Sequence, residues 1–154
     1  MKTEWFEFSD SLGYLTLVTS RLFISVLGRK LGDAGLDFGP EQWAVLRMLL
    51  NEDGLSQEEL LRLTRYEKST LSRVLDGMEK KGLIVRKRDP EDGRRKKVFI
   101  TPKGVAGGET GTEIAARNLV LLYEGIPREE FMLCRKMIEE MQSRLLRMLR
   151  GEVA

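Results

Sequence analysis

Between Ser56 and Thr101 the chain changes its hydrophobic period twice, and that ordered change restricts the fold more than any other feature. Ser56-Gln57-Glu58-Glu59 has the form of a capping box. The Ser56 hydroxyl can accept from the Glu59 amide while the Glu59 carboxylate accepts from the Ser56 amide. A short helix to about Leu63 follows, with Leu60 and Leu63 inward. After a break at Thr64-Arg65-Tyr66, a second helix is expected from near Glu67 to Lys81, burying Leu71, Val74, Leu75 and Met78 and ending at Gly82. The helical period then stops. Leu83–Arg88 and Lys97–Thr101 read as strands, joined through Asp89-Pro90-Glu91-Asp92-Gly93, residue types that favour a tight turn.

Helical patterns flank this stretch. From about Ser9 to Leu31, the residues Leu12, Leu15, Val18 (or Thr19), Leu22 and Val26 recur every three or four positions. Such a helix is too long for a small core and should pack on something extended. Gly32, Gly35 and Gly39 end it. Pro40 opens a helix to about residue 51, with Trp43, Val45, Leu46, Leu49 and Leu50 on one face. Thr101-Pro102 starts another, in which Ile114, Leu119 and Leu122 keep the period. Gly107, Gly108 and Gly111 fall in its first turns, and each interior glycine costs about 0.8–1 kcal/mol relative to alanine. That start is expected to be weak and to act as a mobile joint, so that alanine at all three would stabilise by up to ~3 kcal/mol. Pro127 opens the last helix, with Phe131, Cys134, Met137 (or Ile138), Met141, Leu145 and Met148 along one side. Cys134 is expected to be packed and unreactive there.

Composition narrows the function. The 154 residues contain no histidine and one cysteine. His-based catalysis, Cys-His nucleophiles and nearly all histidine-containing metal sites are excluded, and no internal disulfide is available. No phosphate loop or other catalytic motif occurs, so neither an enzyme nor a cofactor or metal site is expected. No apolar run is long enough for a bilayer, and the opening MKTEWFEFSD has acids where a secretory signal has a basic stretch; the expected location is the cytoplasm. Net charge is only +2, but residues 67–103 hold twelve Lys/Arg and six Asp/Glu, leaving the remainder at −4. One basic segment in an otherwise acidic chain suits a single polyanion-facing surface.

The basic segment coincides with the two short helices and the hairpin. In a helix-turn-helix the first helix braces the second, whose apolar back fixes which side enters the major groove. Burial of Leu71, Val74, Leu75 and Met78 leaves Lys68, Ser69, Ser72, Arg73 and Asp76 outward, with Thr70 in the same first turns. Arg73 suits either a bidentate guanine contact or a phosphate clamp. Arg94, Arg95, Lys96 and Lys97 load the hairpin, which makes it a wing. The fold class is therefore mainly α (α+β), a winged helix-turn-helix with a two-stranded β-wing and flanking helices. The reading is a DNA-binding regulator.

Several motifs together resemble the multiple-antibiotic-resistance regulator (MarR) family. They are Gln42-Trp43-x-x-Leu46, Ser56-x-x-Glu59-Leu60, Lys68-Ser69-Thr70-Leu71-Ser72-Arg73, Met78-Glu79-Lys80-Lys81-Gly82-Leu83-Ile84-x-Arg86, Asp89-Pro90-x-Asp92-Gly93-Arg94 and Thr101-Pro102-Lys103-Gly104. The resemblance implies one chain, 1–154, with a DNA-binding lobe at 36–101 and helical dimerisation segments at 1–35 and 102–154. It further implies a homodimer on pseudo-palindromic double-stranded DNA, Asp92 positioning the wing, and Arg94 at the minor groove with Arg95 and Lys96 nearby. Ligand-responsive repression is usual in the family, often by small aromatic acids; Phe23, Trp43 and Arg47 are candidate lining residues. The alternative is a non-sensing architectural DNA binder with the same winged helix.

Overall fold

A computed structural model describes residues 9, 11–88 and 96–152. Ser11 caps the first helix, its hydroxyl accepting from the Tyr14 amide at 3.2 Å, and α1 runs Leu12–Asp33. Pro40 opens α2 (Pro40–Asn51) at its first position, where a missing N–H removes no bond. The capping box forms as the residues dictate: the Glu59 amide donates to Ser56 Oγ at 3.2 Å, and the Ser56 amide donates to Glu59 Oε2 at 2.8 Å. It starts α3 (Gln57–Thr64), and α4 (Lys68–Lys80) follows. Strands β2 (Ile84–Arg88) and β3 (Lys96–Ile100) pair antiparallel with Ile84 opposite Ile100 and Arg88 opposite Lys96.

The sheet gains a third strand that the sequence did not show. β1, only Leu55–Ser56, pairs antiparallel with the other side of β3, giving the order β1-β3-β2. Two residues are too few to display a period. The pairing is set by the turn before them, where Gly54 has φ +75° and Asp53 Oδ1 accepts from the Ile100 amide at 2.8 Å. That positive φ suits glycine, and an added Cβ would come 2.9 Å from the Phe99 ring.

One core joins these elements. Leu27 and Leu31 of α1, Val45, Leu46 and Leu49 of α2, and Leu60 of α3 pack with Leu71, Leu75 and Met78 of α4, with Leu83 just before β2, and with Ile84 and Val98 from the sheet. Two expectations about inward residues change. Leu63 is exposed, and in α1 the expected stripe of Leu12, Leu15, Leu22 and Val26 is exposed too. Apolar residues lie on more than one side of α1, and the chain's own core covers only the side bearing Leu27 and Leu31.

The glycine-rich helix also departs from expectation. α5 is unbroken over Pro102–Tyr123, and Gly104, Gly108, Gly111 and Ala115 are its buried residues. A Cβ at Gly104 would collide with the Leu83 carbonyl oxygen. At Gly108 it would lie 2.9 Å from Leu50 Cδ1, and at Gly111 it would lie 2.5 Å from Trp43 Cδ1. None of these glycines has a positive φ. They are absent side chains that let α5 lie against α2 and the end of β2, and the expected mobile joint is replaced by a close contact.

By internal contacts the chain forms two compact units, 1–118 and 119–154. The second contains α6 (Arg128–Leu149), which has no buried residue. Its exposed surface carries the ion pairs Arg135–Glu139 at 2.8 Å and Arg144–Glu140 at 2.7 Å, each one helical turn apart. Tyr123 and Phe131 pack with ring centroids 4.8 Å apart. Cys134 is exposed, contrary to expectation, as α6 has no buried residue.

Candidate nucleic-acid interface

Helix α4 is fixed about its axis by Leu71, Val74, Leu75 and Met78, all buried as their spacing requires. Lys68, Ser69, Ser72 and Arg73 are exposed, and Thr70 is half-buried. These residues do not share one depression. Lys68 and Ser72 line a cleft of about 700 Å³ together with Ser56, Gln57, Arg86 and Lys96, so one wing cation is brought to the side of α4. Thr70 and Arg73 line a separate groove beside Ile24, Pro40 and Gln42. Lys96 opens β3 and is exposed. Asp92, Arg94 and Arg95 lie outside the described residues.

The sequence pattern assigns Arg86 no role. Its side chain is only 15% exposed. Nη2 donates to Asp76 Oδ1 at 2.5 Å and to Glu79 Oε2 at 2.8 Å, Nε donates to the same Glu79 oxygen at 3.1 Å, and its amide donates to Glu79 Oε1 at 3.1 Å. The arginine thus clamps the second half of α4 to β2. Its single positive charge offsets one of the two negative charges that Asp76 and Glu79 place on this side of α4. The spacing of Asp76 and Glu79, one turn apart on α4, was legible; their meeting with Arg86 required the strand to fold back.

The Arg86 hydrogen bonds hold the Glu79 carboxyl below its ordinary range, and bonds from the Ser56 amide and hydroxyl do the same to Glu59. A carboxylate whose folded-state pKa is depressed stabilises the protein above its unfolded pKa and loses that contribution as pH falls through the folded value. Melting temperature should therefore fall as pH drops below about 4.3. Glu79→Gln should melt lower than the parent at pH 7 and differ less from it at low pH. Glu79 is 42% exposed, so the difference should stay below about 1 kcal/mol. An equal gap between the two proteins at every pH would refute this role.

A second polar network fastens the far end of α4. Lys81 Nζ donates to the Asp37 carbonyl and, at 3.0 Å, to Gln42 Oε1. Lys103 Nζ donates to the Lys81 carbonyl at 2.9 Å. Thr101 Oγ1 donates to the Gly82 carbonyl at 2.7 Å and accepts from the Gly104 amide at 3.1 Å. The end of α4, the turn into α2 and the start of α5 are therefore tied together.

A helix-turn-helix backed by a three-stranded antiparallel sheet whose last two strands form a basic hairpin defines a winged-helix protein. The MarR family model matches residues 36–95. The transcriptional regulator HosA of Escherichia coli O111:H- is 37% identical over 68 residues, 44% of this chain and 50% of HosA. The chain spans about half the length of the curated relatives it matches. Among solved structures, that of MarR is similar over 96% of this chain and 99% of its own, with TM-score 0.76 and 29% identity. The Staphylococcus aureus MepR–DNA complex is similar over 90% and 99%, with TM-score 0.79 and 26% identity. Over residues 36–95 the chain thus matches the MarR family model, and its fold is that of MarR-type winged-helix proteins. The curated relatives it matches include transcriptional regulators such as HosA. No helix among the described residues is long and apolar enough to cross a membrane.

Proposed function

We propose that the chain is a sequence-specific regulator that grips double-stranded DNA as a homodimer, with α4 in the major groove and the wing at the minor groove. The observation that carries DNA binding is the exposed row of Lys68, Ser69, Ser72 and Arg73 on a helix whose rotation is fixed by four buried residues. The likeness to the MepR–DNA complex supports the same docking. Selection of bound sequences from random duplex DNA should return a pseudo-palindrome with half-sites about 34–36 Å apart. Recovery of no preferred sequence would overturn specific recognition.

The homodimer is supported by the apolar side chains left uncovered on the single chain. On α1 these include Leu12, Leu15, Leu22 and Val26; on the other unit they include Val120, Leu121, Met137, Leu145, Met148 and Leu149. Large exposed apolar patches are rare on monomeric proteins and mark interaction surfaces. Helices of this length typically bury over about 2,000 Å² in an obligate dimer. Sedimentation at micromolar concentration should show two chains per particle, and Leu145→Asp should shift the population to monomer. A monomeric parent would end this claim.

A ligand-responsive repressor is favoured over an architectural binder by two donors on the α5 side of the core. Trp43 Nε1 and Asn118 Nδ2 are buried without a partner among the described residues. Leaving such groups unpaired costs free energy, and the carboxylate of a small acid is an acceptor of the kind each lacks. Phe23, packed against the core, lies among the apolar candidates, while Arg47 is exposed. Calorimetric titration with benzoate and hydroxybenzoates, with and without operator DNA, tests this. Identical operator affinity with every compound would leave the architectural role.

A further inference from the structure

We propose that Arg65 is a DNA-contacting residue, kept in a strained backbone position for its charge. Five glycines adopt positive φ among the described residues: Gly35, Gly54, Gly82, Gly125 and Gly151. Arg65 is the one non-glycine that does so, with φ 59° and ψ 20°. In that left-handed conformation a Cβ crowds the following carbonyl, and glycine is the residue of least strain. Nothing in the protein's own packing explains the arginine. It is exposed, and its guanidinium makes no hydrogen bond or ion pair with any described residue. Only its backbone is used, the amide closing α3 on the Leu61 carbonyl at 3.0 Å, which glycine would do equally well.

The position explains what the side chain is for. Arg65 occupies the turn of the helix-turn-helix, three residues before Lys68, at the end of α4 where Lys68 and Ser69 are exposed. Arg62 in the last turn of α3 is also exposed, and Glu67 is the only acid between Arg62 and Lys68. A cation on this turn meets the phosphates that border the groove entered by α4, a sequence-independent contact. The inference rests on the DNA-binding reading and adds a residue to it.

The test separates strain from charge. Arg65→Gly should melt at or above the parent's temperature, because the left-handed backbone becomes unstrained. It should nonetheless bind random-sequence duplex DNA on the order of 3–10-fold more weakly at low salt, with the salt dependence flattened by about one unit per protomer. Arg65→Lys, which keeps the charge and the strain, should retain most of the parent's affinity. A residue with only a structural role cannot raise stability and lower affinity together. If Arg65→Gly binds like the parent at every salt concentration while Arg73→Ala binds weakly, the Arg65 proposal is wrong and the DNA surface stands. If the parent itself binds no duplex at low salt, both fall. A melting temperature for Arg65→Gly clearly below the parent's would overturn the strain argument.

Discussion

Replacing Gly104 with alanine is expected to destabilise the protein by about 2 kcal/mol, a drop of roughly 4–8 °C in melting temperature. The added methyl would meet the Leu83 carbonyl oxygen. That carbonyl is held in place, because it accepts from the Thr101 amide at 3.0 Å. Forcing extra atoms into such a contact typically costs 1–3 kcal/mol or more, against the ~1 kcal/mol that alanine gains over glycine in helix propensity. Gly107 gives the contrast. Its Cβ would meet only the edge of the Phe38 ring, 2.8 Å from Cε1, and a ring can shift where a backbone cannot. Gly107→Ala should therefore cost less than Gly104→Ala. Thermal unfolding of the two single variants decides the matter: a Gly104→Ala protein as stable as the parent would show that the contact with the Leu83 carbonyl can give way.

The second large effect lies on α4. Arg73→Ala should cost about 1–3 kcal/mol in operator affinity, which is roughly 5–150-fold, and blur preference at one position per half-site. Arg73 is exposed and has no ion pair among the described residues, so its guanidinium is available to a base or a phosphate. Lys96→Ala should act differently, weakening all sequences alike and reducing the salt dependence by about one unit per protomer. Fluorescence anisotropy with operator and random duplexes over a salt series separates the two. If Arg73→Ala matches the parent on both duplexes, the face assigned to the major groove is wrong.

Much of the winged helix was legible residue by residue. Ser56 and Glu59 announced the start of α3, because a capping box needs only two side chains three positions apart. The stripe Leu71, Val74, Leu75 and Met78 fixed α4's rotation, since helical spacing alone places these side chains on one face. The outward positions of Lys68, Ser69, Ser72 and Arg73 followed from that rotation. The hairpin was read from two β-patterned runs around an Asp-Pro-x-Asp-Gly turn, although the structural positions of residues 89–95 lie outside the described ones.

Tertiary structure decided what local rules could not. Propensity assigns each glycine of α5 a cost in an isolated helix, yet the cost is offset where an absent side chain admits the Leu83 carbonyl, Leu50 or Trp43. Periodicity found an apolar stripe on α1 but could not tell which side the chain's own core would cover; Leu27 and Leu31 took that place. Leu55–Ser56 had no strand period and became a strand only because Asp53 and Gly54 turn the chain against β3. Arg86 acquired its two carboxylates because β2 runs back along α4. The sequence by itself determined the helices, their caps and the face of α4 left exposed, since those depend on neighbours within about one helical turn. Only the folded chain settled close approach, burial and long-range ion pairing, because each depends on which residues distant in sequence arrive at the same place.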